Sequence, residues 1–206
     1  MFRYMKYFKD PVHGYVSISE AEKNIIDTTP VQRLRYIKQL ACAYLTYPGA
    51  DHSRYIHSVG VMHVAGRMAE QLVSGGWLDE SEIQEVRLAA LLHDVGHGPF
   101  SHVYEELLVK KRKLTHEDMS RKIVEESEVG DKLEELGYSK KDVALLCVGK
   151  HPKKRVLNAI IAGELSADII DYLLRDSHFT GAGYSFDSGR IIESMCVLED
   201  GRVGIK

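Results

Sequence analysis

Residues 85–100 read EVRLAALLHDVGHGPF. Leu88, Ala89, Ala90, Leu91 and Leu92 make this segment apolar on every side, and a helix that is apolar all round lies at the centre of its fold. Ser81 offers that helix a cap, and Gly96-His97-Gly98-Pro99 stops it just after His93-Asp94. Upstream, a long helix is predicted over 54–72, with His57, Val61, Val64, Ala65, Met68 and Leu72 on one stripe and Gly75-Gly76 as its stop. Before it, Thr29 caps a helix with Pro30 in the first turn, and Val31, Leu34, Ile37 and Ala41 recur at helical spacing. A loop with Pro48-Gly49 fills 44–53. Downstream, helices are expected near 100–111, 116–128, 139–150 and 154–162, and from Ser166 to Ser177. The two ends read as β: short strands over Tyr7–Ser19 around Asp10-Pro11 and His13-Gly14, and a hairpin over Met195–Ile205 that turns at Asp200-Gly201. The expected fold class is mostly α, a helical bundle with short β-hairpin pieces at the N- and C-terminal ends, forming one domain over residues 1–206.

Composition narrows the partners. Of 206 residues, 44% are hydrophobic and 28% charged, an ordinary globular mix. Lys and Arg total 27 against 30 Asp and Glu, a net charge of −3, so neither nucleic acid nor an anionic lipid surface is an expected partner. No apolar run approaches the ~20 residues of a membrane-spanning helix, and Met1 to Lys9 lacks the apolar stretch of a secretion signal. Cys42, Cys147 and Cys196 lie far apart and form no disulfide framework, so a reducing cytoplasm is the expected setting.

Histidine is distributed unevenly. Seven of the 10 histidines fall between 52 and 116: His52, His57, His63, His93, His97, His102 and His116. A His-Asp dipeptide alone is no motif, but Asp94 ends a buried helix, at the negative pole of the macrodipole, where a carboxylate is disfavoured by ~0.3–1 kcal/mol. Burying it unpaired costs several kcal/mol more, so something positive belongs beside it. A divalent cation or an arginine such as Arg54 would serve. His57 heads the apolar stripe of its helix and points inward, as many satisfied core histidines do; His63 is rotated off that stripe and reads as peripheral. Asp168, Tyr172 and Asp176 share one helical face, while Asp171 and Arg175, at i and i+4, read most simply as a surface ion pair. Two inward histidines and two partly buried carboxylates share an economical explanation: together they suit Mn²⁺, Fe²⁺, Ni²⁺ or Zn²⁺, with positions left for water and phosphate oxygen.

The set of motifs resembles a known family. RYIHSVGV (54–61), HDVGHGPFSH (93–102), His116-Glu117-Asp118 and ADIIDYLLRD (167–176), with QRLRYIKQL (32–40) and YPGA (47–50) upstream, closely resemble the HD-domain phosphohydrolases and their deoxynucleoside triphosphate triphosphohydrolase branch. The resemblance runs from Asp10 to about Gly183. It implies metal ligands His57, His93, Asp94 and Asp168. It implies a second layer of His97, His102, Glu105, His116 and Glu117, in which His102 is the general acid, Glu105 orients it, and His97 and His116 contact phosphate. Arg54 would neutralise phosphate charge, and Gln39, Leu40, Tyr172 and Asp176 would hold the sugar. The implied cofactor is one divalent ion, Mn, Fe, Ni or Zn, with Mg as a phosphate-bound second ion. The implied partner is a nucleotide, and the implied assembly a homo-oligomer. No Gly-rich phosphate loop is present, so the metal and basic side chains must do the phosphate work.

Three functions follow as expectations. The first is hydrolysis of a dNTP to deoxynucleoside and triphosphate. The second is a nucleoside mono- or diphosphate phosphohydrolase or a phosphodiesterase, favoured by Ile169, which stands where the branch often carries a phosphate-holding Lys. The third is a non-catalytic metal- or nucleotide-binding module. The branch continues well past the position of Lys206, so the chain reads either as a minimal member or as the N-terminal part of a longer architecture.

Overall fold

The computed structural model describes residues 6–206, the side chain of His102 excepted. Two strands, β1 (Lys6–Asp10) and β2 (Gly14–Ile18), pair antiparallel, with Asp10 opposite Gly14. Ten helices follow α1 (Glu20–Ile26) among the described residues: α2 (Thr29–Arg33), α3 (Arg54–Ser74), α4 (Glu80–Leu92), α5 (Ser101–Arg112), α6 (His116–Glu126), α7 (Glu128–Glu135), α8 (Lys140–Leu146), α9 (Arg155–Ala162), α10 (Ala167–Thr180) and α11 (Ser188–Glu193). A second antiparallel pair, β3 (Met195–Val197) and β4 (Val203–Ile205), closes the order. The class is mostly α with β pairs at both ends, as the periodicity predicts.

The core forms around α3, which packs against α4 on one side and α10 on the other. Leu88, Leu91 and Leu92 of α4 are fully buried, each contributing about 1.5–3 kcal/mol by leaving water. Buried charge is paired: Arg87 of α4 meets the Glu22 carboxylate of α1 at 2.5 Å.

Several boundaries differ from the periodicity. Helix α4 starts two residues earlier, at Glu80, because Asp79, not Ser81, caps it in a box with Glu82. Helix α1 escapes the periodicity although Ser19 and Glu22 cap it in the same way. The helix expected over 116–128 ends at Glu126, and the Ser127 side chain caps a separate helix, α7, that the periodicity does not predict. The largest departure is upstream. Helix α2 ends at Arg33, a single 3-10 turn covers Leu34–Tyr36, and Ile37 is extended. Thr28 rather than Thr29 stands at its cap position. Tertiary pairing overrides the helical spacing here: the Ile37 carbonyl accepts the Arg54 N–H at 2.8 Å and the His52 carbonyl accepts the Gln39 N–H at 3.0 Å. The chain is thereby turned so that Gln39, Leu40 and Ala41 run beside the start of α3.

Helix α10 corrects a further expectation. Asp171 and Arg175 are not a surface pair; both are fully buried. They fit because α3 carries Gly60 at the crossing, where an added Cβ would run into Asp171 Oδ1 and Arg175 Nη2. In an exposed helix, Gly→Ala stabilises by roughly 1 kcal/mol. For Gly60→Ala the sign is expected to reverse, with a net loss of about 2 kcal/mol from overpacking against two buried charged groups. Urea unfolding measures it; a stabilised variant would show that α3 and α10 are not in close contact at this crossing.

Candidate metal centre and active site

The end of α4, the start of α3 and the start of α10 meet at the floor of one cleft. The turn after α4 is fixed from two sides: Arg33 Nη2 donates to the carbonyls of Val95 (2.7 Å) and His97 (2.9 Å). On the other side, the Ser120 hydroxyl accepts the Gly96 N–H (2.9 Å) and donates to the His93 carbonyl (2.9 Å). A rigid turn presents His93, Asp94 and His97 together.

The two inward histidines are set as metal ligands would be. His93 Nδ1 donates to the Ala90 carbonyl at 2.7 Å, which leaves the lone pair on Nε2. That Nε2 is buried without a hydrogen-bond partner. It faces other acceptors, Asp94 Oδ1 at 3.4 Å and Asp168 Oδ1 at 3.8 Å. His57 Nδ1 lies 2.8 Å from Asp171 Oδ2, so its Nε2 turns to Asp168 Oδ1 at 3.1 Å and Asp94 Oδ2 at 3.7 Å. Donors that share one ion at ~2.1 Å lie no more than ~4.2 Å apart. All four of these separations satisfy that limit. His57, His93 and Asp94 each offer one ligand atom within 4.8 Å of the others; Asp168 falls outside that group, with its Oδ1 3.1 Å from His57 Nε2 and 3.8 Å from His93 Nε2. An orphaned imidazole lone pair facing carboxylates fits a divalent cation, and the nitrogen–oxygen donor set suits the transition metals.

The alternative partner for Asp94 is present as well. Arg54 Nη1 pairs with Asp94 Oδ2, while its Nε (3.1 Å) and Nη2 (2.7 Å) donate to the Ser101 hydroxyl. Burial alone would raise the Asp94 carboxyl, but the charges of His93 and Arg54 and the His97 hydrogen bond hold it well below the usual carboxylate range. Burial would likewise lower His57, yet the Asp168 and Asp171 carboxylates raise it to about 10 in the metal-free chain. The Asp168 carboxyl is depressed against its own burial, chiefly by the His57 hydrogen bond.

Above this floor the cleft has a volume of about 570 Å³, within the ~300–1,000 Å³ of small-molecule sites. Its walls include Arg54, His97, His116, Gln39, Leu40, Tyr172 and Asp176. Three wall residues, Ala41 (φ 49°), Phe100 (φ 60°) and Ser101 (φ 39°), hold left-handed backbone that costs non-glycine residues energy, a strain that collects at functional sites. The Gln39 Oε1 atom is buried and lacks a hydrogen-bond partner. Asp176 Oδ1 is held by His52 Nε2 at 2.8 Å.

Of the expected second layer, His97 and His116 line the cleft. Glu105 Oε1 accepts from the N–H (3.1 Å) and Nδ1 (2.6 Å) of His116, so it orients His116. His116 in turn stacks on His97 with ring centroids 4.1 Å apart. Glu117 pairs with Lys150 and does not line the cleft. The side chain of His102 lies outside the described residues.

Asp171 is the residue the motif reading missed. It stands behind His57, as the carboxylate partners of metal-binding histidines do, fixing the ring and its tautomer. The pairing with Arg175 hid it, since i,i+4 charges look alike on a surface and in a core. Gly60, a glycine inside a long helix, was the available signal of a close approach.

His63, read as peripheral, is half-buried, its ring 5.6 Å from that of His13. Burial first, then the charges of His13, Arg87 and Arg67, lower it to about 4 against a raising effect of Asp10. The native state therefore holds it neutral while the unfolded chain protonates near 6.5. Stability is whole above pH 6.5 and falls as pH drops from there toward 4, by about 3 kcal/mol at most. His63→Gln is expected to flatten the urea-midpoint profile in that window; an unchanged slope would refute the assignment.

Comparison with known proteins places the geometry in a family context. The HD domain family matches residues 54–176. The uncharacterized protein YwfO of Bacillus subtilis is 42% identical over 202 residues, covering 95% of this chain and 45% of that protein. Deoxynucleoside triphosphate triphosphohydrolase SAMHD1 of Gallus gallus is 34% identical over 230 residues, covering 96% of this chain and 38% of that protein. The chain thus spans less than half the length of these curated relatives. Among solved structures, a hypothetical protein from Aquifex aeolicus superposes with a TM-score of 0.87 at 40% identity, covering 97% of this chain and 53% of the other. A phosphohydrolase from Bacteroides thetaiotaomicron gives 0.85 at 35% identity, with 98% and 49% covered. Among the described residues no helix is long and apolar enough to cross a membrane.

Proposed function

The chain belongs to the HD domain family, and on that premise we propose that it is a metal-dependent phosphohydrolase whose substrate is a nucleotide, a dNTP cleaved to deoxynucleoside and triphosphate. The observation that carries this reading is the convergence of His57, His93, Asp94 and Asp168 donors beneath a cleft walled by Arg54, His97 and His116. Those four side chains would hold a divalent ion, Mn, Fe, Ni or Zn, which when bound would lower the pKa of water toward ~7 and polarise a phosphoryl oxygen. A second ion, Mg, would be carried by the substrate's phosphates.

The chain's own groups supply the rest. Arg54 is fixed by Asp94 and Ser101 and brings a guanidinium to the cleft wall, where it offsets phosphate charge. His97 and His116, held in a stack by Glu105, contact phosphate oxygens. His102 gives the proton to the departing oxygen. Gln39 Oε1, a buried acceptor without a partner, takes a sugar hydroxyl, with Leu40 and Tyr172 beside the ring and Asp176 on a second hydroxyl. The setting is the cytoplasm. Exposed apolar side chains such as Leu45 (73%) and Val103 (63%) support a homo-oligomer.

Ile169 favours a second reading, because an apolar side chain beside Asp168 adds no charge for a third phosphate: a nucleoside mono- or diphosphate phosphohydrolase or a phosphodiesterase. Incubation with dNTPs and Mn²⁺ separates the readings. Tripolyphosphate supports the first, orthophosphate the second, and metal binding without turnover a non-catalytic module. His102→Ala is expected to keep its metal and lose about 10²–10⁴-fold in kcat; unchanged turnover would remove the acid role.

A further inference from the structure

We propose that the tight turn of the β1–β2 hairpin is part of the metal centre, with His13 as a positioning residue that aims His57 through Asp171. This inference rests on the metal-centre reading above. The observations form one buried chain of contacts. Asp10 Oδ1 accepts the N–H groups of Val12 (2.8 Å) and His13 (2.9 Å), which closes the turn. Asp10 Oδ2 accepts from Arg175 Nη1 at 3.0 Å. His13 Nε2 lies 2.6 Å from Asp171 Oδ1, with the His13 side chain only 6% exposed.

Asp171 therefore receives four hydrogen bonds from three elements. Its Oδ1 takes His13 Nε2 and Arg175 Nη2 (2.8 Å); its Oδ2 takes Arg175 Nε (2.8 Å) and His57 Nδ1 (2.8 Å). Two bonds on each oxygen fix the plane of the carboxylate. That plane sets the direction from which Oδ2 meets the His57 Nδ1–H, and so the direction in which His57 Nε2 faces Asp94 and Asp168. Arg175 alone binds along one edge of the carboxylate and leaves it free to rock about that edge. His13 grips Oδ1 from the hairpin side and removes the freedom. The hairpin is tied to the body at the same place, since Val16 and Ile18 of β2 are buried and Arg87 Nη2 donates to the Ser17 carbonyl at 2.8 Å. A displacement of the turn is thus transmitted to a metal-ligating nitrogen two hydrogen bonds away.

Partners behind a ligating histidine carry about 10–100-fold in metal affinity, and His13 lies one bond further out, so about tenfold is expected. The test titrates Mn²⁺ alone into the metal-free chain, read by the EPR signal of free Mn²⁺, alongside urea unfolding of each metal-free protein. His13→Leu and His13→Asn, whose short amide cannot reach Asp171, are expected to weaken Mn²⁺ binding about tenfold. His13→Gln, whose amide N–H reaches the position of Nε2, is expected to stay within about threefold of the native chain. The Asn variant keeps the test open should His13→Leu not fold. Equal affinity in all forms, or a fall in metal-free stability with affinity unchanged, would overturn the positioning role while leaving the metal centre standing. Equal loss in the Gln and Asn variants would overturn the donor role. A native chain that binds no Mn²⁺ would overturn the metal reading and this inference with it.

Discussion

His93→Ala is expected to leave a folded chain that no longer retains a divalent ion and in which the proposed hydrolysis is at least about 10³-fold slower. His93 is the cleanest of the four ligands to remove. Its Nδ1 bonds only the Ala90 carbonyl of its own helix, and its Nε2 has no hydrogen-bond partner. Beyond the Nδ1 bond, truncation removes only the contacts of Nε2 with Asp94 (3.4 Å) and Asp168 (3.8 Å), and Asp94 keeps Arg54, which limits the loss of stability. Asp94→Ala would confound the test, because it also leaves the buried Arg54 guanidinium without its carboxylate, a change that costs about 3–5 kcal/mol by itself. Losing one of four donors opens the ion to exchange. The cleft then keeps Arg54, His97 and His116 but no group able to activate water, which is why the turnover loss exceeds that expected for a single proton-transfer residue. Elemental analysis after gel filtration measures retention. Full occupancy in His93→Ala would remove His93 from the ligand set.

Arg175→Leu is expected to destabilise the chain by about 3–5 kcal/mol, a large part of the ~5–15 kcal/mol that holds a domain together. Arg175 is fully buried and is the shared counter-charge of Asp171 and Asp10, themselves 0% and 5% exposed. Removing it leaves the buried Asp171 carboxylate with only His57 and His13, and the Asp10 carboxylate with only the backbone N–H groups of Val12 and His13. The guanidinium is held well protonated, since the Asp171 and Asp10 contacts outweigh the lowering effect of burial, so its charge is present at every working pH. The urea midpoint is the measurement. A loss under 1 kcal/mol would mean that the pair is solvated, as its i,i+4 spacing suggests when read without the fold.

These two outcomes mark what was legible in the residues. The candidate ligand set could be named from the sequence because its members sit in short motifs at helix ends, where an apolar helix running into His93-Asp94 demands a positive partner. The class of fold was legible for the same reason: the helical stripes of α3 and α4 are long and unambiguous. The Asp10–His13–Asp171–Arg175 network was not, because its members are remote in sequence and each has an ordinary local explanation. The fold of residues 34–41 was not, because backbone pairing with 52–54 outcompetes a helical pattern that Val31, Leu34 and Ile37 satisfy. Glu105 was expected to orient His102; its bond to His116, from α5 to the start of α6, is a contact that no spacing reveals.

The central claim is that His57, His93, Asp94 and Asp168 share one cation. Anomalous diffraction from crystals loaded with Mn²⁺ tests it most directly. The account predicts one anomalous peak per chain within about 2.0–2.3 Å of His57 Nε2, His93 Nε2 and an oxygen of each carboxylate. A peak elsewhere, or an ion bound by the carboxylates with both imidazoles out of reach, would contradict it.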